Sequence, residues 1–376
     1  MLFGRVKPLD AILATAEKKS LTRTLGALQL TMLGIGAIIG TGIFVLTAAA
    51  ADKAGPAMMI SFIIAAIVCG LAALCYSELA AMVPVSGSAY TYSYATFGEI
   101  VAWIVGWALV LEYAIAASAV SVGWSGYMVS LVEEVFKTDI PNTFVKGPFD
   151  PVGVGETAGL INVPAMLIGL VCMALLIVGT KESARFNAVL VAIKVSALAL
   201  FLVLALPAVT SDNFAPFMPN GFFANEVLDP ITNNMVTVGV SAAAASIFFA
   251  YVGFDAVSTA AEETINPQRN IPIGLIGSLG ICTVIYLLVA AGAIGTIGAQ
   301  PGGALAQSDD ALAFVLREIG HGWAGDLVAV AAGLALPSVI LMMMFGQTRI
   351  FFVMARDGLL PDVFSRLHPR YGTPHI

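Results

Sequence analysis

Two apolar stretches of the sequence carry residues that an uninterrupted membrane helix rarely tolerates. The first, residues 33–43, contains four glycines, Gly34, Gly36, Gly40 and Gly42. Each glycine costs up to about 1 kcal/mol in a helix interior relative to alanine. Four of them together predict a helix that opens near its middle, although the spacing of Gly36 and Gly40 also fits close packing against another helix.

The second stretch, residues 246–258, places Gly253 and Asp255 within an apolar run. A carboxylate at membrane depth costs at least a few kcal/mol unless it faces a cavity or a partner. Interrupted segments at corresponding places in two halves of a chain indicate the binding site of a transporter. The alternative for Asp255 is a structural polar network.

The chemistry available to such interruptions comes from the backbone. An opened helix leaves N–H groups without partners at one broken end and C=O groups at the other. The N–H end attracts a carboxylate, and the C=O end attracts an ammonium group. An α-amino acid carries both groups on one carbon. Two opened helices side by side therefore predict a site that recognises the backbone of an amino acid.

Two further charged residues fall inside apolar segments. Lys194 lies in residues 184–207 and Glu112 in residues 98–131. An intramembrane lysine is a functional residue by default, and the alternative is a side chain that reaches the membrane interface. For Glu112 we expect a place in the pocket or an ion pair with Lys194, with a structural network as the alternative.

The composition requires a membrane around these residues. The chain is 59% hydrophobic and 11% charged, with a mean hydropathy of +0.93, whereas soluble domains are about a quarter charged. Apolar segments of roughly 20 residues or more predict eight transmembrane helices. We place them at about 28–49, 57–82, 98–131, 160–180, 184–207, 236–262, 273–298 and 324–355.

The distribution of Lys and Arg predicts the orientation. With the N-terminus in the cytoplasm, the inner side carries about three times as many of these residues as the outer side. Residues 1–24 predict a short amphipathic helix on the cytoplasmic membrane surface, and residues 25–376 form the transmembrane domain. We expect a multi-pass protein of the plasma or inner membrane.

Several other classes of function are disfavoured. Basic residues never cluster with aromatic ones, which argues against nucleic acid as a partner. Metal-binding or catalytic motifs such as HExxH, GxSxG or CxxC do not occur, so neither an enzyme nor a metal or other cofactor is expected. A channel would need a pore ring or a repeated filter, which the sequence lacks.

Five stretches in order along the chain resemble a known family. They are residues 30–44, 83–92, 249–258, 266–272 and 346–361. The chain resembles the amino acid–polyamine–organocation transporters, and within them the cationic amino acid transporter branch. The resemblance covers essentially the whole chain.

The resemblance implies an all-α integral membrane fold of the LeuT-like type, a five-plus-five inverted repeat whose first and sixth helices are broken. The first repeat would cover residues 28–207, and a partial second repeat residues 236–355. Members of the family have about 12 or 14 helices, so we expect this chain to be a fragment. A fragment that binds substrate without transporting it is one alternative.

The resemblance also implies residue roles. The substrate-binding residues would be Ile38, Ile39, Gly40, Thr41 and Gly42 on the first helix, and Phe248, Ala250, Tyr251, Gly253 and Asp255 on the sixth. Phe248 or Tyr251 would form an aromatic lid. In sodium-coupled relatives of this architecture a cation bridges the first and eighth helices, and the resemblance implies that the ammonium of Lys194 takes that place.

We therefore expect secondary active transport of cationic or broad L-amino acids. Transport would be independent of sodium, with proton coupling through Lys194 and Glu112 as the hypothesis. The preference for cationic substrates rests on the family and on Glu112 and Asp255. A neutral amino acid carrier, a polyamine carrier or an exchanger of the same fold is the alternative.

Overall fold

The computed structural model describes most of the chain, namely residues 25–83, 88–148, 159–178, 184–228, 235–261 and 264–366, together with Val6 and Pro8. The predicted amphipathic segment, residues 1–24, lies outside the described residues apart from those two. Residues 84–87 of the motif at 83–92 also lie outside them, as do residues 367–376.

The described residues are mostly helical, because a backbone in lipid must satisfy its own hydrogen bonds. The helices are α1 (Ala27–Ile38), α2 (Thr41–Phe44), α3 (Leu46–Ala54), α4 (Met58–Met82), α5 (Ser88–Thr96), α6 (Glu99–Phe136), α7 (Asn142–Val145), α8 (Val163–Val178), α9 (Ala184–Ala205), α10 (Val240–Ile247), α11 (Ala256–Thr259), α12 (Pro267–Ile297), α13 (Ala311–Glu318) and α14 (Gly322–Arg356).

Within the described part of the chain, five helical segments are long and apolar enough to cross a membrane. They are Leu46–Met82, Glu99–Phe136, Val189–Ala208, Pro267–Ile297 and Gly322–Arg356. Three shorter apolar helices, Ala27–Ile38, Val163–Ile177 and Val240–Tyr251, fall below that length. A mostly helical membrane fold is thus confirmed, while the number of eight spans stays a prediction.

The backbone leaves helical geometry at two places, which we call the first and second interruptions. At the first, residues 39–40, Ile39 adopts extended angles (φ −70°, ψ 97°) between α1 and α2. The second, residues 252–255, follows a 3₁₀ turn at Phe248–Tyr251 and precedes α11. Gly253 has a φ of 110° there, a conformation that favours glycine.

A two-stranded antiparallel hairpin precedes the second interruption. Its strands are β1 (Asn225–Leu228) and β2 (Met235–Val238). The sixth span was expected to begin at about residue 236, and there the structure has β2, with α10 beginning at Val240. Apolar, β-branched residues favour a strand as readily as the end of an apolar helix.

Small residues bring the long helices together, as expected where lipid surrounds the protein. α14 packs along α6, and α12 packs against both α1 and α4. The indole N–H of Trp124 on α6 donates to the carbonyl of Gly333 on α14, at 2.9 Å. Gly34 on α1 faces Ser278 on α12 with no room for a side chain. These contacts fix the helices around the two interruptions.

We predict that Gly239→Ala destabilises the protein more than Gly221→Ala does. Both glycines have positive φ, 110° and 73° respectively. A Cβ at Gly239 would lie 2.5 Å from the carbonyl oxygen of Phe223, whereas a Cβ at Gly221 would meet no atom within 4 Å. The difference should reach roughly 1–3 kcal/mol, measured by thermal unfolding in detergent. Equal shifts for the two variants would contradict this account of the hairpin.

Candidate functional site

The backbone segments that contain the two interruptions contact each other at glycine residues. A Cβ at Gly42 would overlap the Cα of Ala250. Reciprocally, a Cβ at Gly253 would lie 2.8 Å from the carbonyl oxygen of Ala37. Each interrupted segment therefore has a glycine where the backbone of the other segment approaches it. This is a packing reason for glycine in addition to its conformational freedom.

A tyrosine on a third helix joins the two interruptions. The hydroxyl of Tyr286, on α12, lies 2.9 Å from the carbonyl oxygen of Ile38 and 3.1 Å from that of Ala250. Tyr286 is fully buried, and its ring lies beside that of Tyr251, with centroids 5.4 Å apart. Carbonyls at helix ends lack intrahelical donors, and this hydroxyl lies within hydrogen-bond distance of one from each segment, with a single hydrogen that it can donate to either.

A cavity of about 710 Å³ opens beside the interruptions. Its described lining is mostly apolar. It comprises Ala37, Ile38, Gly40, Gly42, Val45, Leu46, Lys53, Ile115, Ala116, Ala119, Val120, Ala224, Thr237, Ser241, Ala242, Ala245, Ser246, Phe249, Val252, Val339 and Met343. A concave, mostly apolar space with few polar groups is typical of a small-molecule site.

Some of the predicted binding residues border this cavity. Ile38, Gly40 and Gly42 belong to its described lining. Ile39 is fully buried, and Thr41 begins α2. Ala250 and Gly253 lie behind the cavity wall, where they pack against the first segment.

Among the described residues that line the cavity, Phe249 is the aromatic one. Phe248 and Tyr251, which the resemblance implied as lids, are not part of that lining. Tyr251 is fully buried, and its hydroxyl donates to the carbonyl of Phe62 at 3.3 Å. Residues 248–251 form a 3₁₀ turn, in which neighbouring side chains point about 120° apart. Phe249 was not among the residues that the resemblance mapped onto the sixth helix, and the 3₁₀ turn at this position is not evident from the sequence.

The two predicted acidic residues lie apart from the described cavity lining. Asp255 is only 4% exposed and accepts a hydrogen bond from the hydroxyl of Tyr113 on α6, at 3.0 Å. Glu112, half-buried, is close enough to Asp255 to interact with it electrostatically. These carboxyl groups form a polar cluster between α6 and the second interruption.

Lys194 lies on α9, and its side chain contacts the C-terminal end of α1. Its side chain is 1% exposed, and its ammonium donates to the carbonyl of Gly36 at 3.0 Å. Gly36 belongs to the last turn of α1, whose carbonyls carry the negative end of the helix dipole. The ammonium therefore stabilises the backbone just before the first interruption.

The cavity lining reaches the hairpin at one end of the molecule, whereas hydrogen bonds join separate segments at the opposite end. At the hairpin end, Ala224 and Thr237 take part in the cavity lining. At the opposite end, the N–H of Ile265 donates to the carbonyl of Leu25 at 2.9 Å. There the hydroxyl of Tyr90 also donates to Asp357 at 2.9 Å. These contacts join the start of α1 to the segment after α11, and α5 to the end of α14.

We predict that Gly42→Ala separates the two interruptions and destabilises the protein strongly. The added methyl group would overlap backbone atoms of Ala250, which cannot move aside as a flexible side chain can. The expected loss is several kcal/mol, read as a large fall in thermal stability. Gly280→Ala is the control, because a Cβ there meets nothing within 4 Å on α12. Similar stability of both variants would argue against the close contact.

Similarity to known proteins identifies the family of the chain. A family model described as "Amino acid permease" matches residues 25–376. The branched-chain amino acid permease BcaP of Bacillus subtilis is 46% identical over all of this chain and 76% of its own length. The methylthioribose transporter of the same organism is 44% identical over 98% of this chain and 75% of its own length.

More distant proteins are also similar. The chloroplastic cationic amino acid transporter 9 of Arabidopsis thaliana is 37% identical over 93% of this chain and 58% of its own length. The crystal structure of MhsT in complex with L-phenylalanine aligns with a TM-score of 0.60. It is 15% identical and covers 90% of this chain and 75% of its own, so it supports the LeuT-like fold alone.

These relatives are permeases and transporters, which excludes an enzyme and agrees with the apolar helices of a multi-pass membrane protein. Both the family match and the high identity over nearly the whole chain support one conclusion. The chain belongs to the amino acid permease family of the amino acid–polyamine–organocation superfamily.

Proposed function

We propose that this chain is the core of a secondary active transporter for neutral L-amino acids with apolar side chains. The observation that carries the proposal is the cavity beside the two interruptions, whose described lining combines broken-helix backbone with apolar side chains. The backbone would recognise the groups common to all amino acids, and the apolar wall would select the side chain.

The substrate carboxylate would bind the N–H groups at residues 40–42. These N–H groups begin a helix, where intrahelical acceptors are missing and the dipole is positive. Gly40 and Gly42 also border the cavity, so a ligand can approach their backbone closely. The substrate ammonium would bind carbonyls at the end of the 3₁₀ turn beside Phe249 and Val252.

The apolar wall favours neutral substrates over cationic ones. Ile115, Val120, Val339 and Met343 line the cavity, while a cationic side chain needs a carboxylate or several carbonyls for its charge. The expectation of cationic substrates rested on the family resemblance and on Glu112 and Asp255. Asp255 is buried against Tyr113, which weakens the support from the two acids.

A second candidate substrate comes from similarity. One relative is named a methylthioribose transporter, and a thioether fits an apolar wall. Methylthioribose lacks both the carboxylate and the ammonium of an amino acid, so it would leave the proposed backbone contacts at the interruptions unused. BcaP, by contrast, is named for branched-chain amino acids, whose side chains match the cavity wall.

The coupling mechanism would involve Lys194. Its ammonium donates to Gly36, so a fixed positive charge already stabilises the carbonyl end of α1, the position of a cation in the sodium-coupled architecture. We therefore propose transport that does not need sodium, with proton movement through Lys194 and the polar cluster of Glu112 and Asp255.

The cavity would be reached from outside the cell. We propose that the hairpin lies on the outer side, as the distribution of Lys and Arg predicts, with the N-terminus in the cytoplasm of the plasma or inner membrane. The backbone contact of Leu25 with Ile265 and the bond of Tyr90 to Asp357 then close the inner side. The eight predicted spans would form one repeat and part of a second.

Uptake by purified protein in liposomes should distinguish the substrates. We expect saturable uptake of labelled leucine, inhibited strongly by isoleucine and valine and weakly by arginine. Leucine lacking its carboxylate or its amino group should inhibit at least about tenfold less, because each lost charge-assisted hydrogen bond contributes about 1.5–3 kcal/mol.

The same panel contains the results that would contradict the proposal. Stronger inhibition by arginine than by leucine would restore cationic specificity. Uptake of methylthioribose without uptake of any amino acid would favour the second candidate. Uptake that rises linearly without saturation would indicate a channel.

We predict that replacing sodium with choline leaves leucine uptake unchanged, while an inward proton gradient increases it. Lys194→Met should lower uptake about tenfold or more and abolish the response to the proton gradient, since it removes a buried charge-assisted hydrogen bond to Gly36. Lys137→Met is the control, because Lys137 is an exposed lysine at the end of α6. A requirement of the unmodified protein for sodium would refute this proposal.

A further inference from the structure

One charged side chain reaches the cavity from its hairpin side. Lys53 lies in the last turn of α3 and is half-buried. Among the described residues that line the cavity, it is the one that carries a charge. Neither the proposed backbone contacts nor the proposed coupling uses it.

The structure holds Lys53 in place through both its side chain and its backbone. Its ammonium donates to the hydroxyl of Ser246 on α10, at 2.7 Å. Its carbonyl accepts the N–H of Gly239 at 2.8 Å and the side-chain amide of Asn220 at 3.1 Å. The side-chain bond connects α3 to α10, the two helices that flank the interruptions on the hairpin side.

Lys53 brings a positive charge to the described cavity lining. Its described partner is a hydroxyl, which leaves the positive charge in place. The neighbouring carboxylate of Asp52 instead accepts the N–H of Gly302 at 3.0 Å. A cleft with charge of one sign between apolar walls concentrates the electric field along the path of an entering solute.

We propose that Lys53 is a specificity-determining residue that selects substrates by side-chain charge. Its ammonium disfavours cationic side chains and admits neutral and acidic ones. This inference rests on the proposed amino-acid transport and adds a physical reason for its neutral preference. The apolar wall alone would disfavour acidic and basic side chains equally, whereas a positive charge disfavours the basic ones relative to the acidic ones.

The test is inhibition of labelled leucine uptake in proteoliposomes by leucine, arginine and glutamate. The quantity measured is the ratio of the inhibition constants of arginine and glutamate. Lys53→Met should shift this ratio in favour of arginine by about 25-fold, because one charge at contact distance in a water-like medium changes each of the two constants by about fivefold, in opposite directions. Lys53→Glu should shift it further, and the inhibition constant of leucine should change much less.

Two matched variants separate charge from other effects. Ser246→Ala removes the hydrogen bond and keeps the charge, so it should retain the unmodified ratio. Lys137→Met neutralises a lysine that is exposed and is not part of the described cavity lining, and this variant should also retain the unmodified ratio. Should Lys53→Glu fail to fold, Lys53→Met alone decides the outcome.

An unchanged ratio in Lys53→Met, with leucine uptake intact, would overturn the inference and leave the transport proposal standing. A shift in Ser246→Ala equal to that in Lys53→Met would also overturn it, because the hydrogen bond and not the charge would then act. An unmodified protein that takes up no amino acid would overturn both proposals together.

Discussion

The structure depends on the contact between two interrupted backbone segments inside an apolar fold. Backbone groups without partners are costly in such surroundings, so every break must be compensated nearby. Here two side chains lie at carbonyls beside the interruptions: the Tyr286 hydroxyl between those of Ile38 and Ala250, and the Lys194 ammonium at that of Gly36. The close approach of Gly42 and Ala250 packs the two segments together. Backbone N–H and C=O groups at the cavity surface that have no such partner would be available to a ligand.

Charged groups within the helical region follow the same constraint. Lys194 and Asp255 are almost fully buried, and each has a polar partner on another segment. Gly36, the partner of Lys194, lies just before the first interruption, and Tyr113 contacts Asp255 in the second. Burying a charge is tolerated only where it is hydrogen-bonded. The charges therefore contribute to the site by holding the broken segments, whereas the cavity itself is bordered mainly by backbone and apolar side chains.

The composition of the sequence predicted the helical membrane fold. The directions in which individual side chains point could not be predicted from the sequence. The family was recognised from its motifs and is confirmed, because several long motifs in one order are specific. The glycines at Gly40–Gly42 and Gly253 predicted interruptions near the points where the backbone leaves helical geometry. The side-chain direction of Phe249 depends on a 3₁₀ turn, and the position of Lys53 depends on contacts with residues distant in sequence. The hairpin was missed because β2, with three apolar residues and a threonine, fits a strand and the start of an apolar helix equally well.

The packing of the long helices has a mechanical consequence. Tyr286 links α12 to both interrupted segments, and α12 also packs against α4. α14 instead packs along α6 and contacts α8. The cavity lining takes residues from both sets, for example Gly42 from the first and Val339 from the second. A tilt of one set against the other would therefore widen or narrow the cavity while the Gly42–Ala250 contact stays intact, so the binding groups would travel as one rigid body.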